Sequence, residues 1–110
     1  MILSTDLWAS ALIRRAELGG AYAAVLRKGD VRAGAVLVKV VNRRAGDVRL
    51  YAQAVRGDGE TVWMQPHATA GVEALDAYVE RAARVDPDLW VVEIDDVQGR
   101  HFLTETVEKS

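Results

Sequence analysis

The stretch DPDLWVVEIDD, residues Asp86 to Asp96, places apolar side chains and a tryptophan among several carboxylates. Pro87 cannot continue a preceding helix, and it pushes Asp86 toward an extended conformation, so a strand is predicted to begin just after this break. Successive side chains of a strand point to opposite faces, which puts Trp90, Val92 and Ile94 on one face and Val91, Glu93 and Asp95 on the other. The stretch therefore predicts a core strand, with Asp96 in the turn that follows.

Four further strands are predicted upstream, at Ala21 to Arg27, Ala35 to Val41, Val48 to Val55 and Thr61 to Gln65. The connections KGDVRAG, NRRAGD and RGDGE carry glycine and aspartate, so they are predicted to be hairpins of an antiparallel meander. The first two strands are apolar on both alternating sets and are expected to be covered on both faces. The third alternates apolar with polar residues and is expected nearer an edge. A short strand is also expected around His101 to Thr104.

Two amphipathic helices complete the predicted elements. The first is predicted from Thr5 to Leu18, with Ser4 or Thr5 as its cap and two glycines at its end. Its apolar stripe consists of Trp8, Ala9, Leu12, Ile13 and Ala16. The second is predicted from Gly71 or Val72 to Arg84, with an apolar stripe of Val72, Leu75, Val79 and Ala82.

Together these elements predict one α/β domain over residues 1–110, in the order α-β-β-β-β-α-β. The sheet is expected to be mostly antiparallel, with about five strands. Because the first two strands are apolar on both sides, we expect three layers with one helix on each face of the sheet. Two helices on the same face would contradict this expectation.

The composition argues against several classes of protein. Fourteen basic and sixteen acidic residues give a net charge of −2, so no excess positive field attracts nucleic acid or an anionic membrane. The loop arginines are expected at both ends of the sheet, which also argues against a nucleic-acid groove. The chain has no cysteine, which excludes disulfides and thiolate ligands. The opening MILSTDLWASALIRRAELGG is typical of neither a signal peptide nor a membrane span, so we expect a cytoplasmic protein.

Glu93 and Asp95 are the candidate catalytic and metal-binding residues. Two carboxylates on one strand face stand roughly 6 to 7 Å apart at the backbone, close enough to hold one divalent cation. Metal-dependent nucleases of the restriction-endonuclease type use such a strand, but the lysine that follows the second acid there is missing here. Lys39 on the second strand is placed to reach across, and the turn DVQGR brings His101 back toward Asp95.

Two interpretations of these acids stay open. One is a divalent-metal-dependent hydrolase in which Glu93 and Asp95 bind the metal, Lys39 stabilises charge and His101 donates a proton. The other, which we favour, is a structural strand whose acids are solvated at its end. The sequence alone does not decide whether the protein is an enzyme.

The preferred functional hypothesis is a non-enzymatic interaction or regulatory module. The sequence has no HExxH and no GxSxG motif, and the glycine spacing in GDVRAGAV lacks the lysine of a phosphate loop, so no cofactor is predicted. Trp63 and Met64, beside the loop from Gln65 to Gly71, are the predicted contact surface, because aromatic and methionine side chains are enriched at interfaces. The alternative is that both fill the core. A protein partner is implied without being identified, and the oligomeric state is not determined.

The order of segments resembles a small bacterial family known as domain of unknown function 1491. The resemblance rests on DLWASALIRRAELGGAYAAVLRKGDVRAGAVLVKV, then LYAQA, then DAYVERAARVDPDLWVVEIDDVQGRHF, which together cover nearly the whole chain. RKGDVRAGAVLVKV and DPDLWVVEIDD are its most specific parts. The resemblance implies a small stand-alone protein without an established activity, cofactor or catalytic residue.

Overall fold

The computed structural model describes residues 4–66 and 71–108, which form helices and strands in the predicted order. The elements are α1 (Thr5–Leu18), β1 (Tyr22–Arg27), β2 (Val36–Asn42), β3 (Asp47–Val55), β4 (Thr61–Met64), α2 (Val72–Val85) and β5 (Trp90–Asp95). The predicted bounds of all seven agree with these to within one or two residues. Among the described residues, no helix is long and apolar enough to cross a membrane.

The five strands form one mixed sheet in the order β1-β5-β2-β3-β4. β5 runs parallel to β2 and antiparallel to β1, while β2, β3 and β4 form an antiparallel meander. The predicted meander is right for those three strands and wrong for β1, because β5 lies between β1 and β2. The segment KGDVRAG is therefore a crossover past the start of β5 and not a hairpin.

The exposure of the strands differs from the prediction at β1. β2 is covered on both faces as expected, but β1 is an edge strand on which Tyr22 is 80% exposed and Leu26 54% exposed. β3 lies between β2 and the edge strand β4, nearer an edge than β2, as its alternation predicted. An apolar run gives the same signal in a central strand and in an edge strand, which is why periodicity misplaced β1.

The two helices lie on opposite faces of the sheet, which confirms the predicted three-layer arrangement. On the α1 face, helix residues Ala9, Leu12 and Ala16 pack against alternate residues of β2 and β5, among them Val38, Trp90, Val92 and Ile94. On the α2 face, Leu75 and its helical neighbours pack against Leu37, Leu50, Leu89 and Val91. The alternation predicted for β5 is therefore observed, with each face in a separate apolar cluster.

The C-terminal segment does not form the predicted strand around His101 to Thr104. In the described part of the chain, residues 101–104 have no strand assignment, and the segment pairs with β4 only later, through one parallel bridge between Trp63 and Val107. Phe102 adopts a left-handed backbone conformation with φ of 59°. This conformation interrupts extended geometry, and the segment turns there before it reaches β4.

Candidate functional site

The acids of β5 lie in a row of alternating charges on the α2 face, which we call the ionic row (Asp76, Lys39, Glu93, Arg43 and Asp95). Lys39 Nζ lies 3.3 Å from Asp76 Oδ1 and 3.7 Å from Glu93 Oε1. Arg43 Nε donates to Asp95 Oδ2 at 2.7 Å, and its Nη2 lies 3.9 Å from Glu93 Oε2. Lys39 reaches Glu93 because the parallel pairing of β2 and β5 places the two residues side by side. The predicted approach of Lys39 is thus observed.

The carboxylates of the ionic row are not the freely solvated acids that the favoured interpretation described. The side chains of Glu93 and Asp95 are 20% and 28% exposed, and each carboxylate faces at least one cation. Within the described residues, no group of three or more histidine, cysteine, aspartate or glutamate side chains is arranged to hold a metal ion. The row is held together by pairing of opposite charges that links β5 to Lys39 of β2, to Arg43 just after β2 and, through Lys39, to Asp76 of α2.

His101 does not join these acids. Its ring packs edge-on against Tyr51 with the centroids 5.2 Å apart, and its Nδ1 accepts the backbone N–H of Leu103 at 2.9 Å. Burial lowers the pKa of His101, which favours the neutral ring. Tyr51 belongs to the core on the α1 face, whereas Glu93 and Asp95 lie on the α2 face. The expected return of His101 toward Asp95 is therefore not observed.

Trp63 lies in the core, the alternative that the sequence left open. It is fully buried and stacks on Trp8 with ring centroids 5.4 Å apart. Both indoles donate to one carboxylate, Trp63 to Glu105 Oε1 at 3.0 Å and Trp8 to Oε2 at 3.2 Å. Burial raises the pKa of Glu105, but these hydrogen bonds, a backbone hydrogen bond and the charge of Arg15 together leave the pKa below its ordinary value. Met64 is half-buried, and residues 67–70 of the adjoining loop lie outside the described residues.

The two stretches that carry the family resemblance pack directly against each other. Asp30 N donates to Asp88 O at 3.0 Å, and Trp90 Nε1 donates to Asp30 O at 2.7 Å. A Cβ at Gly29 or Gly34 would collide with the carbonyl oxygen of Asp88. The glycines are thus required for close approach of two backbones and not for phosphate binding. The most distinctive sequence of the chain has a packing explanation.

Asp96 is a structural residue that sequence reasoning missed. It was assigned to a solvated turn, yet it is 2% exposed and accepts Arg100 Nε and Nη2, each at 2.9 Å, and Arg100 N at 2.8 Å. These hydrogen bonds lower the pKa of Asp96 to about 2. Arg100 Nη2 also donates to Gly19 O, and its guanidinium lies over the Phe102 ring. An acid followed four residues later by arginine was the only available signal.

The outer edge of β1 is open, and we call its apolar part the bare edge (residues 22–26, YAAVL). Among the described residues, no segment pairs with this side of β1. The bare edge carries several exposed apolar side chains: Tyr22, Ala24, Val25 and Leu26. Beside it, a shallow depression of about 330 Å³ is lined by Tyr22, Ala23, Ala24, Arg43, Glu93 and Asp95. Three members of the ionic row, Arg43, Glu93 and Asp95, therefore line the depression beside the bare edge.

The opposite edge of the sheet is covered by the chain itself. Trp63 N donates to Thr106 O at 2.9 Å, and Glu108 N donates to Trp63 O at 2.8 Å. Arg56 Nε and Nη2 donate to the two carboxylate oxygens of Glu108 at 3.2 and 2.7 Å, which holds the segment in place. We call residues 105–108 the covering segment. Within the described ranges, the sheet thus has one edge covered at Trp63 and one open edge.

Comparisons with known proteins agree with this architecture. A family model described as a protein of unknown function, DUF1491, matches residues 3–104. The crystal structure of a DUF1491 family protein from Caulobacter crescentus CB15 has 68% identity and a TM-score of 0.93, covering 97% of this chain and 100% of that chain. An NMR structure of a DUF1491 family protein from the same organism has 68% identity and a TM-score of 0.92, with 98% of each chain covered.

A more distant structure shares the same fold. The solution structure of protein Atu0922 from A. tumefaciens is 34% identical to this chain over 98% of each chain, with a TM-score of 0.81. No curated protein matches the chain. The three solved structures are similar to this chain over essentially its full length, so they share the whole arrangement of helices and sheet.

Proposed function

We propose that this chain, which belongs to the DUF1491 family of proteins of unknown function, is a non-enzymatic interaction module that binds an extended protein segment along its bare edge. Membership of this family assigns no catalytic residue to the chain. The proposal therefore depends on the surface of this molecule. A single observation carries it: residues 105–108 cover the β4 edge of the sheet, whereas no described segment pairs with the β1 edge.

An open edge strand is normally protected, because its unpaired N–H and C=O groups are a template for another strand. Proteins protect such edges with lysine, proline, bulges or a covering segment. Residues 22–26 contain neither a charged residue nor a proline, and the two protective features of β1, Arg27 and the β-bulge between Val25 and Arg27, both come at the end of the strand. The chain covers its other edge with residues 105–108. An apolar and unprotected edge in the same sheet is typical of a binding surface.

When a peptide adds as a strand to the edge of a sheet, different groups determine its affinity and its specificity. Backbone hydrogen bonds along the strand supply affinity, and alternate side chains of the added segment enter pockets on either face of the sheet. On the α2 face, Tyr22 and Ala24 pair with Asp95 and Glu93 of β5, so a side chain next to Ala24 reaches the depression over these acids. The small alanine leaves this path open.

The proposal can be tested with peptides selected by display for binding to the intact protein. We expect the selected peptides to shift the backbone amide resonances of Tyr22–Leu26 in NMR titrations and to lose binding to an Ala24→Lys variant. Val85→Lys is the matched control, because Val85 is 84% exposed at the end of α2 and lies outside β1. Peptides that shift other regions, or that bind Ala24→Lys as well as the unaltered protein, would contradict the proposal.

A further inference from the structure

We infer that His101 is a pH switch for the C-terminal part of the chain: when its ring takes up a proton, the covering segment is released from the β4 edge. The inference concerns the covered edge of the sheet and is independent of the binding proposed at the bare edge. It rests on the place of His101 in the fold, since the chain turns at Phe102 before residues 105–108 reach β4. Acidification would then open a second edge of the sheet.

The ring of His101 closes this turn with the nitrogen that would take up the proton. Nδ1 accepts the backbone N–H of Leu103 at 2.9 Å, so the neutral ring carries its hydrogen on Nε2. In the protonated ring both nitrogens are donors. Nδ1 would then point a hydrogen at the N–H of Leu103, which is itself a donor. The hydrogen bond is therefore lost when the ring is protonated.

The turn at Phe102 depends on this hydrogen bond. Phe102 has a φ of 59°, a left-handed conformation that a residue with a large side chain keeps only when its neighbours hold it there. His101 and Leu103 flank Phe102, and their hydrogen bond spans it. Arg15 Nε also donates to Phe102 O at 3.1 Å, and a proton on His101 does not remove that contact. Release is therefore expected to begin at Leu103 and to include the covering segment.

The surroundings of the ring do not compensate an added positive charge. His101 is half-buried against Tyr51, and burial alone lowers its pKa, so no described carboxylate stabilises the protonated ring. The charged or titratable side chains around the turn lie on α1 (Arg15), on β3 (Tyr51, with Asp47 and Arg49 acting on it) and in the C-terminal part itself (Asp96, Arg100, Glu105 and Glu108).

The acids and the tyrosine around the turn titrate outside the range of His101. The pKa values of Glu105 and Glu108 lie below their ordinary value of 4.5, and that of Asp96 is about 2. Burial raises the pKa of Tyr51 above its ordinary value of 10.0. Glu105 and Glu108 therefore keep their charge-dependent contacts when His101 takes up its proton.

The direction of the pH dependence follows from the two states of His101. The ordinary pKa of the ring is 6.5, and the pKa is lower while the segment is attached. The attached state is therefore fully stabilised above pH 6.5, and this stabilisation is lost as the pH falls below 6.5.

Hydrogen exchange of the full chain, followed by NMR, tests the inference. Two amides report on the covering segment: Trp63 N donates to Thr106 O, and Glu108 N donates to Trp63 O. Their protection factors should fall by at least about threefold between about pH 7.5 and 5.5, while amides of the central strands β2 and β5 keep theirs. Unchanged protection of Trp63 and Glu108 over this range would overturn the inference.

Two variants assign the effect to the ring nitrogen. The side-chain oxygen of His101→Asn can accept the N–H two residues later without titrating, so both reporter amides should stay protected at either pH. His101→Phe keeps an aromatic ring beside Tyr51 but has no acceptor, so protection should be low at either pH. A pH-dependent loss in His101→Asn equal to that of the unaltered protein would overturn the inference. Full protection in His101→Phe near pH 7.5 would overturn it as well.

Discussion

The two edges of the sheet satisfy their backbone groups in different ways. The β4 edge is covered by residues 105–108 of the same chain, which exchange hydrogen bonds with the backbone of Trp63. The bare edge at β1 receives no such cover from the described residues. A covering segment removes an aggregation-prone edge but also removes a binding surface. Among the described residues, this fold therefore covers one edge of the sheet within the chain and leaves the other open.

The same comparison applies to stability. The covered edge contains the fully buried Trp63, its stacking partner Trp8 and the shared acceptor Glu105. The bare edge contains side chains that are largely in water. Substitutions at the covered edge are therefore expected to lower the free energy of unfolding far more than substitutions at the bare edge.

The largest expected effect is at Trp63. Trp63→Ala should lower the free energy of unfolding by roughly 3 to 5 kcal/mol, because a large buried side chain and its packing are lost. Tyr22→Ala on the bare edge should change it by less than about 0.5 kcal/mol. Urea denaturation of both variants measures the difference. Similar losses at the two positions would show that the edges contribute equally and would contradict the comparison.

The second largest loss of stability is expected in the crossover between β1 and β2. Gly34→Ala should lower the free energy of unfolding by roughly 2 to 3 kcal/mol, because the added methyl group meets the carbonyl oxygen of Asp88 and the Trp90 ring. Gly57→Ala, in the turn before β4, meets nothing within 4 Å and should be nearly neutral. Thermal unfolding followed by circular dichroism compares the two. If Gly34→Ala leaves the midpoint of thermal unfolding unchanged, the close approach of Gly34 to Asp88 does not limit the side chain at this position.

Acid should weaken the attachment between the end of β5 and the end of α1. The pKa of Asp96 is about 2, below its ordinary value of 3.8, because Arg100 donates to the charged carboxylate. A lowered folded-state pKa stabilises the protein above the ordinary value, and this stabilisation is lost as the pH falls from about 4 through about 2. The loss should be about 2 kcal/mol.

Asp96→Asn tests this assignment directly. The variant should be less stable near neutral pH by about the same amount, and its stability should fall less steeply than that of the unaltered protein as pH drops from about 4 to 2. Denaturation curves at several pH values measure both slopes. Parallel slopes would show that another carboxylate is responsible for the acid sensitivity.

The smallest expected effect is at the covering segment. Glu108→Pro removes the N–H that donates to Trp63 O, and the midpoint of thermal unfolding should fall by about 4 °C. Glu108→Ala keeps this N–H and loses only the exposed pair with Arg56, so its midpoint should fall less. If the two variants behave alike, the backbone contact contributes nothing and the β4 edge is not effectively covered.

The candidate site shows how far sequence reasoning extends. The spacing of Glu93 and Asp95 correctly placed both acids on one strand face, and Lys39 does reach across to Glu93, although Asp95 pairs with Arg43 instead. His101 was placed wrongly, because the left-handed turn at Phe102 and the packing on Tyr51 involve residues that are distant in sequence. The burial of Asp96 and Trp63 likewise depends on partners on other elements, Arg100 with Gly19 for one and Trp8 with Glu105 for the other.

The sequence by itself determined the helices, the strands and which side chains share a face. These depend on local signals: periodicity, the glycines that end α1, and Pro87 before β5. Only the tertiary structure decided the strand order and the identity of the open edge. β1, β2 and β5 are all apolar enough to be central, and alternation along one strand does not reveal how many neighbours it has. The close fit of Gly29 and Gly34 against Asp88 takes the chain past the start of β5, which lies between β1 and β2 and leaves β1 at the edge.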